Sequence, residues 1–532
     1  MPTQRIPVLI VGGGPVGLAL AIELGIAGIG CLVVEHREGL ISLPRTTGLS
    51  VRSMEFNRRW RVAEKVKRVG WPSTHPNDFV YCTSMIGHEL ARVQVPPYEG
   101  RTLHYTPEPP CGCASIFYEP ILLERARSLS TVDIRYLHSL VAFTQDDERV
   151  IATVADQETG QIKTIAAQYL VGCDGADSSV AQQLGTTFDG IGVVSKSINV
   201  YFRSPELARI HTKGWARFYR FTDSRGSWGE LLPIDGKELF RLSVFNEDKI
   251  GDVGAYVQRL AGTEVVYELV SLTQWERREC VANRYRVGRV FLAGDAAHQN
   301  SPTGGLGLHT GLADAVDLGW KLTATLNGWG GIALLDAYET ERKPVAVTNV
   351  RLSTDEFNTL AALPADPEID QNSPAGEAAR QTWRDAFVRT PRSGGYIFSE
   401  NVRLGYAYES SPIIISDGSV PPVDNGEFVP TARPGGRAPH AWMAPGCSTL
   451  DLFGTGFVLF RFGSRPHDVG ELVRVAAARK VPFRVVDLVD DRIKALYDCQ
   501  LVLVRPDGHV AWRSDEPPAV PHLLVNQVSG HS

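Results

Sequence analysis

Residues 289–311 read RVFLAGDAAHQNSPTGGLGLHTG, and the rest of the chain is organised around them. The run 290–293 has the apolar character and length of a buried strand, and it stops at Gly294-Asp295. A Pro/Gly stretch follows, with Pro302, Gly304, Gly305, Gly307 and Gly311, before the helix-period run LADAVDLGWKLTATL. This order predicts a strand, a carboxylate at its C-terminal tip and a glycine-rich approach to a helix N-terminus. Such a carboxylate can accept hydrogen bonds from polyol hydroxyls. The unsatisfied N–H groups of the helix's first turn favour a group that turns negative. The pair suits a flavin, with ribityl hydroxyls at Asp295 and the pyrimidine edge of the reduced ring at the backbone of Leu308 and His309.

The chain's beginning supplies the second half of that site. Residues 6–11 (IPVLIV) form a short β-rich run, followed by Gly12-Gly13-Gly14-Pro15-Val16-Gly17 and the helical LALAIELGIAG. A second strand, CLVVEH, ends near Glu35, with His36 and Arg37 just beyond. Strand, G-x-G-x-x-G, helix, strand and acid in this order make a dinucleotide-binding fingerprint. Gly12 permits the tight turn, Gly14 lets a pyrophosphate approach, Gly17 allows close helix–strand packing, and Glu35 bonds ribose hydroxyls. Downstream, PRTTGLSVRSMEFNRRW places Arg45 and Arg52 at the start of an amphipathic helix, where either could close over a phosphate or ribityl chain. In QYLVGCDGADSSVAQQLG a third strand ends in Asp174-Gly175, with Asp177, Ser178 and Ser179 as helix-cap candidates.

Composition bounds the function. A chain of 532 residues holds about two to four domains with sizeable cores. An apolar fraction of 43% with 51 Gly and 33 Pro suits a loop-rich α/β enzyme. Net charge is −6 without a basic run, which disfavours nucleic acid. No apolar stretch approaches the roughly 20 residues that span a bilayer. The N-terminus runs into a strand without a signal-peptide cleavage pattern, and the eight cysteines show no C-x-x-C. These features predict a cytoplasmic protein with no membrane, nucleic-acid or metal partner.

Elsewhere the pattern changes. Residues 73–110 carry strand-like pieces that leave the first domain, and ASIFYEPILLERARSL from Ala114 returns as a helix. Residues 186–285 shift toward period 2 (SINVYF, WARFYRF, WGELLPIDGKELFRLSVF), predicting a separate, mainly antiparallel layer. Its aromatics are mostly core; Tyr219, Trp228 and Phe245, with Pro302, Thr303 and Gly304, are the substrate candidates. Helices run to about residue 362, and residues 363–445 read as a long linker. The tail regains order, and Asp507-Gly508 falls where a hairpin should turn.

Together GGGPVG, LVGCDGADSSV and RVFLAGDAAHQNSPTGGLG resemble the single-component FAD aromatic hydroxylases of the p-hydroxybenzoate hydroxylase type over about residues 5–360. The tail stretches GGRAPHAW, STLDLFG and LVRPDGHVAWR resemble the thioredoxin-like C-terminal domain of the phenol and polyketide hydroxylase branch, its rebeccamycin-pathway group in particular. The resemblance implies an α/β fold: a Rossmann-type FAD-binding domain (1–75, 105–185 and 283–395), an inserted mainly antiparallel β substrate domain (76–104 and 186–282), and a thioredoxin-like α/β domain (396–532) without C-x-x-C.

It also implies FAD as cofactor and NADPH or NADH as co-substrate. With a single dinucleotide fingerprint, NAD(P)H has no binding domain of its own. An electron-rich phenolic or fused aromatic ring is hydroxylated by O2 through a flavin C4a-hydroperoxide. The chain is then a monomer or homodimer acting on an aromatic small molecule. The cofactor carries the chemistry, so no side chain is assigned as catalytic. Carried over, the FAD positions are Gly12, Gly14, Pro15, Gly17, Glu35, His36, Arg37, Arg45, Arg52, Ser115, Asp174, Gly175, Gly294, Asp295, Pro302 beside the ring, Gly305, Gly307, Leu308 and His309. Three positions depart from the family: Ser115 in place of Gln or Arg, Ala181 in place of an arginine, and His309 in place of Asn. Oxygenative ring opening, decarboxylation-linked oxidation and a non-catalytic FAD-carrying role are the alternatives.

Overall fold

Four parallel strands with level tips make the site, and their sequence explains why they form. Gln4–Val11, Cys31–Val34, Ile162–Gly172 and Val290–Leu292 are apolar and largely buried on both faces, as parallel strands covered by helices must be. In this computed structural model, which describes residues 4–97, 100, 102–391, 400–423 and 427–531, Val11 pairs with Val34 and with Gly172, and Gly172 with Leu292. All four strands therefore end at one level. Gly12, Glu35, Asp174 and Asp295 emerge along the same edge, the edge where open α/β sheets bind ligands. Helices Pro15–Ile26 and Gly307–Leu326 pack against each other and bury most of their residues.

A second sheet of eight strands, mainly antiparallel, runs in the order His298–Gln299, Glu268–Ala282, Phe188–Arg203, Leu239–Phe245, Gly226–Pro233, Phe218–Asp223, Phe79–Cys82 and Glu89–Val93. Because His298 and Gln299 pair with Val281 and Cys280, the chain just past Asp295 is stitched to this sheet's edge. Period-2 alternation divides the sheet's side chains between two faces. One face carries Tyr219, Phe221, Trp228, Phe240 and Leu242 in a core with the helix Val253–Ala261. The other carries Tyr81, Phe218 and Leu232, which pack on Trp383 and Phe387.

Those last two residues lie on the helix Pro374–Val388, inside the stretch 363–445 expected to be linker. The start was written in the sequence: Ser373 caps by accepting the amide of Gly376, and Pro374 takes the first turn. The expected boundary between residues 395 and 396 falls within 392–399, outside the described residues, as do residues 98, 99 and 101 of the segment 76–104.

The tail forms a four-stranded sheet in the order Phe483–Leu488, Phe457–Phe462, Leu501–Val504 and Val510–Ser514, with the first pair parallel and the others antiparallel. Gly508, at φ +85°, turns the final hairpin. One face of this sheet packs on the body, where Phe457, Leu459, Leu501 and Leu503 cluster with Trp320, Trp329 and Leu334; the other holds Phe460, Val502 and Val504 in a cluster with Ile493 and Tyr497. The helix Ile332–Ala361 runs about 45 Å and touches the helix Gly307–Leu326 and the second sheet. Among the described residues no helix is long and apolar enough to cross a membrane.

Candidate functional site

The glycine turn is shaped for a phosphate. Gly12 holds φ +107°, and a Cβ there would lie 2.3 Å from the Cys173 carbonyl oxygen; at Gly17 it would lie 2.0 Å from the Gly12 oxygen. Gly14, by contrast, has nothing within 4 Å of a built Cβ, and as N-cap it leaves the first turn of the helix Pro15–Ile26 without a side-chain partner. The amides of Val16 and Gly17 in that turn thus have no side-chain cap, an arrangement that favours an anion.

Glu35 is buried and already engaged: its carboxylate accepts the Gly13 amide at 2.7 Å and the Arg37 Nε at 2.9 Å. Burial opposes ionisation, but these hydrogen bonds hold the carboxyl below its usual range. His36 lies alongside, largely exposed.

Asp295 stays accessible although protein surrounds it closely, so it lines a cleft. Burial raises its carboxyl above the usual range, with His298 and Arg45 opposing. The Arg45 side chain is exposed, and its charge reaches both Asp295 and Glu119. The Ser115 hydroxyl is committed elsewhere: it accepts the Arg45 amide at 2.8 Å, so it pins the loop that carries Arg45. Gly294 and Gly305 both hold positive φ, the turn Gly294–Ala296 packs on the helix Gly307–Leu326, and Pro302 is exposed ahead of that helix. Leu308 is partly accessible there. His309 Nδ1 sits 2.9 Å from Ser53 Oγ, and burial pushes its imidazole down to about 3, leaving it neutral.

Three expectations change at this point. Arg52 does not reach the cleft: its guanidinium is tied to Glu55 at 3.0 Å and to the Asp507 carbonyl at 3.0 Å, because the tail hairpin docks over it. Asp174 caps its own helix, accepting Ser178 Oγ, Ser179 Oγ and the Val180 amide, while Gly175 at φ +86° turns the chain beside it. Tyr219 and Trp228 point into the core on the far face of the second sheet. Of the aromatic substrate candidates only Phe245 faces the site, since strand alternation sends its neighbours the other way.

What faces the site is a set of arginines that the sequence reading passed over. Arg220, Glu230, Ser243 and Asn199 stand directly opposite one another across four strands. Arg241 and Arg277 lie on the same side. Arg241 donates to the carbonyls of Pro44 and Arg45. Arg277 Nη1 donates to Ser301 Oγ at 2.6 Å and Thr303 Oγ1 at 3.1 Å, with its guanidinium 4.0 Å above the Phe357 ring. Neither Arg241 nor Arg277 has an acidic partner among the described residues. Burial pushes Arg277 down to about 9, with Glu230 opposing, and lowers Arg241 as well. The signal was present: arginines in register with polar residues inside otherwise aromatic strands. It reads as a solvated face, and only the second sheet's position over residues 301–303 makes it an interior one.

A surface groove of about 950 Å³ lined by Arg286, Asp336 and Lys343 lies away from the strand tips. Its charges are already met, Arg286 by Asp336 and Lys343 by the Asn283 carbonyl. Among the described residues no cluster of three metal-ligating side chains occurs.

Comparison with known proteins shows the family. The family described as FAD binding domain matches residues 5–353, and that described as aromatic-ring hydroxylase, C-terminal, matches residues 431–528. A putative polyketide hydroxylase of Streptomyces halstedii is 33% identical over 99% of this chain and 98% of its own. The aklavinone 12-hydroxylase RdmE of Streptomyces purpurascens is 33% identical over 98% of this chain and 97% of its own. The solved structure of chromopyrrolic acid-soaked RebC with bound 7-carboxy-K252c superposes with a TM-score of 0.93 at 39% identity, covering 100% of both chains.

Proposed function

This chain belongs to the family of FAD-binding aromatic-ring hydroxylases, and from that premise we propose that it hydroxylates an aromatic ring bearing a carboxylate, with NADPH or NADH as reductant and O2 as oxidant. That it is an FAD-dependent aromatic monooxygenase follows from the family and its relatives. The observation carrying the finer reading is the link between the two halves of the site: the segment that leaves Asp295 for the helix Gly307–Leu326 also holds Arg277, through Ser301 and Thr303.

Bound FAD supplies electron transfer from NAD(P)H and activation of O2, so that one oxygen enters the ring and the other leaves as water. The protein's part is to bind and orient. The free amides after Gly14 would hold the pyrophosphate, Glu35 an adenosine ribose hydroxyl, and Asp295 the ribityl hydroxyls. Arg45 would close over the phosphates, with Pro302 beside the ring and the Leu308 and His309 backbone at its pyrimidine edge. Removing Asp295 deletes a charged acceptor, so Asp295→Ala should lose most bound flavin; full occupancy by absorbance would refute the placement.

Arg241 and Arg277 would take the substrate carboxylate. A guanidinium is effectively always charged, and a buried one without an acid is costly, so an anion entering there relieves that cost. RebC was solved with 7-carboxy-K252c bound, a ligand whose name carries the same group. The test pairs aromatic acids with their carboxamides and follows NADPH or NADH oxidation by stopped flow. Flavin reduction at least about tenfold faster with the acids is expected, each charge-assisted hydrogen bond contributing roughly 1.5–3 kcal/mol. Equal rates within every pair would sink the carboxylate reading. The likeness to RebC also favours a second reading, oxidation coupled to loss of that carboxyl, which product mass distinguishes from simple oxygen insertion.

A further inference from the structure

The cleft's floor connects to the tail through fully buried charged side chains. Asp314, on the helix Gly307–Leu326, accepts the Gly294 amide at 3.1 Å and His298 Nε2 at 2.7 Å on one oxygen, and Arg342 Nε at 2.8 Å on the other. Arg342 Nη1 donates to Tyr408 Oη at 3.1 Å. The Tyr408 ring lies between that contact and the tail, with the Arg505 guanidinium 5.3 Å from its centroid and His509 4.4 Å away. Arg505, at the root of the final hairpin turn, grips Glu341 at 2.5 and 2.9 Å, Asp317 at 3.1 Å and Asp507 at 2.6 Å. Lys321 closes the ring, 2.7 Å from Asp317 and 2.6 Å from Glu341. Asp314, Arg342, Lys321 and Arg505 are all 0% exposed.

We propose that the C-terminal domain is a positioning element for the flavin, acting through Arg505, Tyr408, Arg342 and Asp314 on the Gly294-Asp295 turn and on His298. Asp314 is the pivot, because one carboxylate fixes both the amide that starts the turn and the imidazole three residues past Asp295. Although burial opposes both, each group favours the charged form of the other: the Asp314 carboxyl is down to about 2 and His298 is raised. Behind Asp314, Arg342 is oriented by Tyr408, and Tyr408 is held by the tail. A shift of the hairpin turn thus reaches the strand tip through a chain whose members are all buried. The Asp314 contact biases His298 toward its protonated form next to the cofactor turn, a form that favours a reduced, anionic flavin.

This inference rests on the flavin lying at Asp295, and the test separates the two. Tyr408→Phe deletes one hydroxyl and keeps the ring; Arg505→Met removes the tail's cation. Both sites are remote from the cleft. In holoenzyme, both variants should weaken FAD binding at least about threefold and lower the flavin midpoint potential, Arg505→Met more strongly. In flavin-free protein, the ring 15N resonances of His298 should move in both variants, whatever the cofactor's placement. Arg505→Lys should recover part of each effect. Loss of thermal stability alone, with dissociation constant, potential and His298 resonances at wild-type values, would overturn the proposal and leave the tail as a docked support. Shifted resonances with unchanged potential would instead show that the linkage exists but the flavin is not placed at its end, which also overturns the positioning role.

Discussion

Arg277 joins sheet, loop and helix in one side chain: it leaves the second sheet, donates to Ser301 and Thr303, and lies over Phe357. Arg277→Met should raise KM for a carboxylated substrate by about 10- to 100-fold through lost charge-assisted bonds, with FAD affinity unchanged in a titration of the same preparation. Glu119 makes a different prediction. Burial raises its carboxyl to about 7, with Arg37 and Arg45 opposing. Folding therefore favours the protonated form. The stability this confers is fully present below about 4.5 and is lost as pH rises toward 7, a penalty of up to about 3 kcal/mol at pH 8. Urea unfolding of Glu119→Gln should show that variant gaining on the wild type at pH 8 and matching it near pH 4. Glu119 itself was hidden in the sequence, because a Glu inside the helix Ser115–Arg127 reads as solvated until the loop 41–46 covers it.

At the level of single elements, what could be read in advance was set by local rules. The strand ends at Gly12, Glu35, Asp174 and Asp295 were legible because each is an apolar run stopped by glycine or acid, and parallel pairing then fixes their relative height. The helix Pro374–Val388 was missed although Ser373 and Pro374 announce it. Its apolar residues are few, and Trp383 with Phe387 acquires a partner only when Tyr81 arrives from another part of the chain. Trp383→Ala should cost about 3–5 kcal/mol, read as a lower urea midpoint with an unchanged slope. A fall of under 1 kcal/mol would mean that this helix is dispensable cover. The arginine face was illegible for the complementary reason: alternation tells two faces apart, but which one meets water depends on what docks there.

Across the whole molecule, the tail keeps a cluster of its own around Phe460 and Tyr497 but shares the other face of its sheet with the body. Phe457, Leu459, Leu501 and Leu503 meet Trp320 and Trp329, and Arg505 finds two of its three acids, Asp317 and Glu341, in the body. A fragment of residues 431–532 expressed alone would expose that apolar face and leave Arg505 with Asp507 as its one remaining acid. Its melting transition should fall well below that of the intact chain; an equal melting temperature would contradict the shared face. The helix Ile332–Ala361 imposes a stricter condition. It carries Arg342 to the Asp314 contact and Phe357, about four turns further on, to Arg277. Inserting or deleting a single residue between them would rotate one contact by about 100° relative to the other. A change of chain length within that segment would therefore break one contact or the other. A chimera that borrows a relative's substrate face must exchange the entire helix, or accept a crossover at which the two halves of the site no longer face each other.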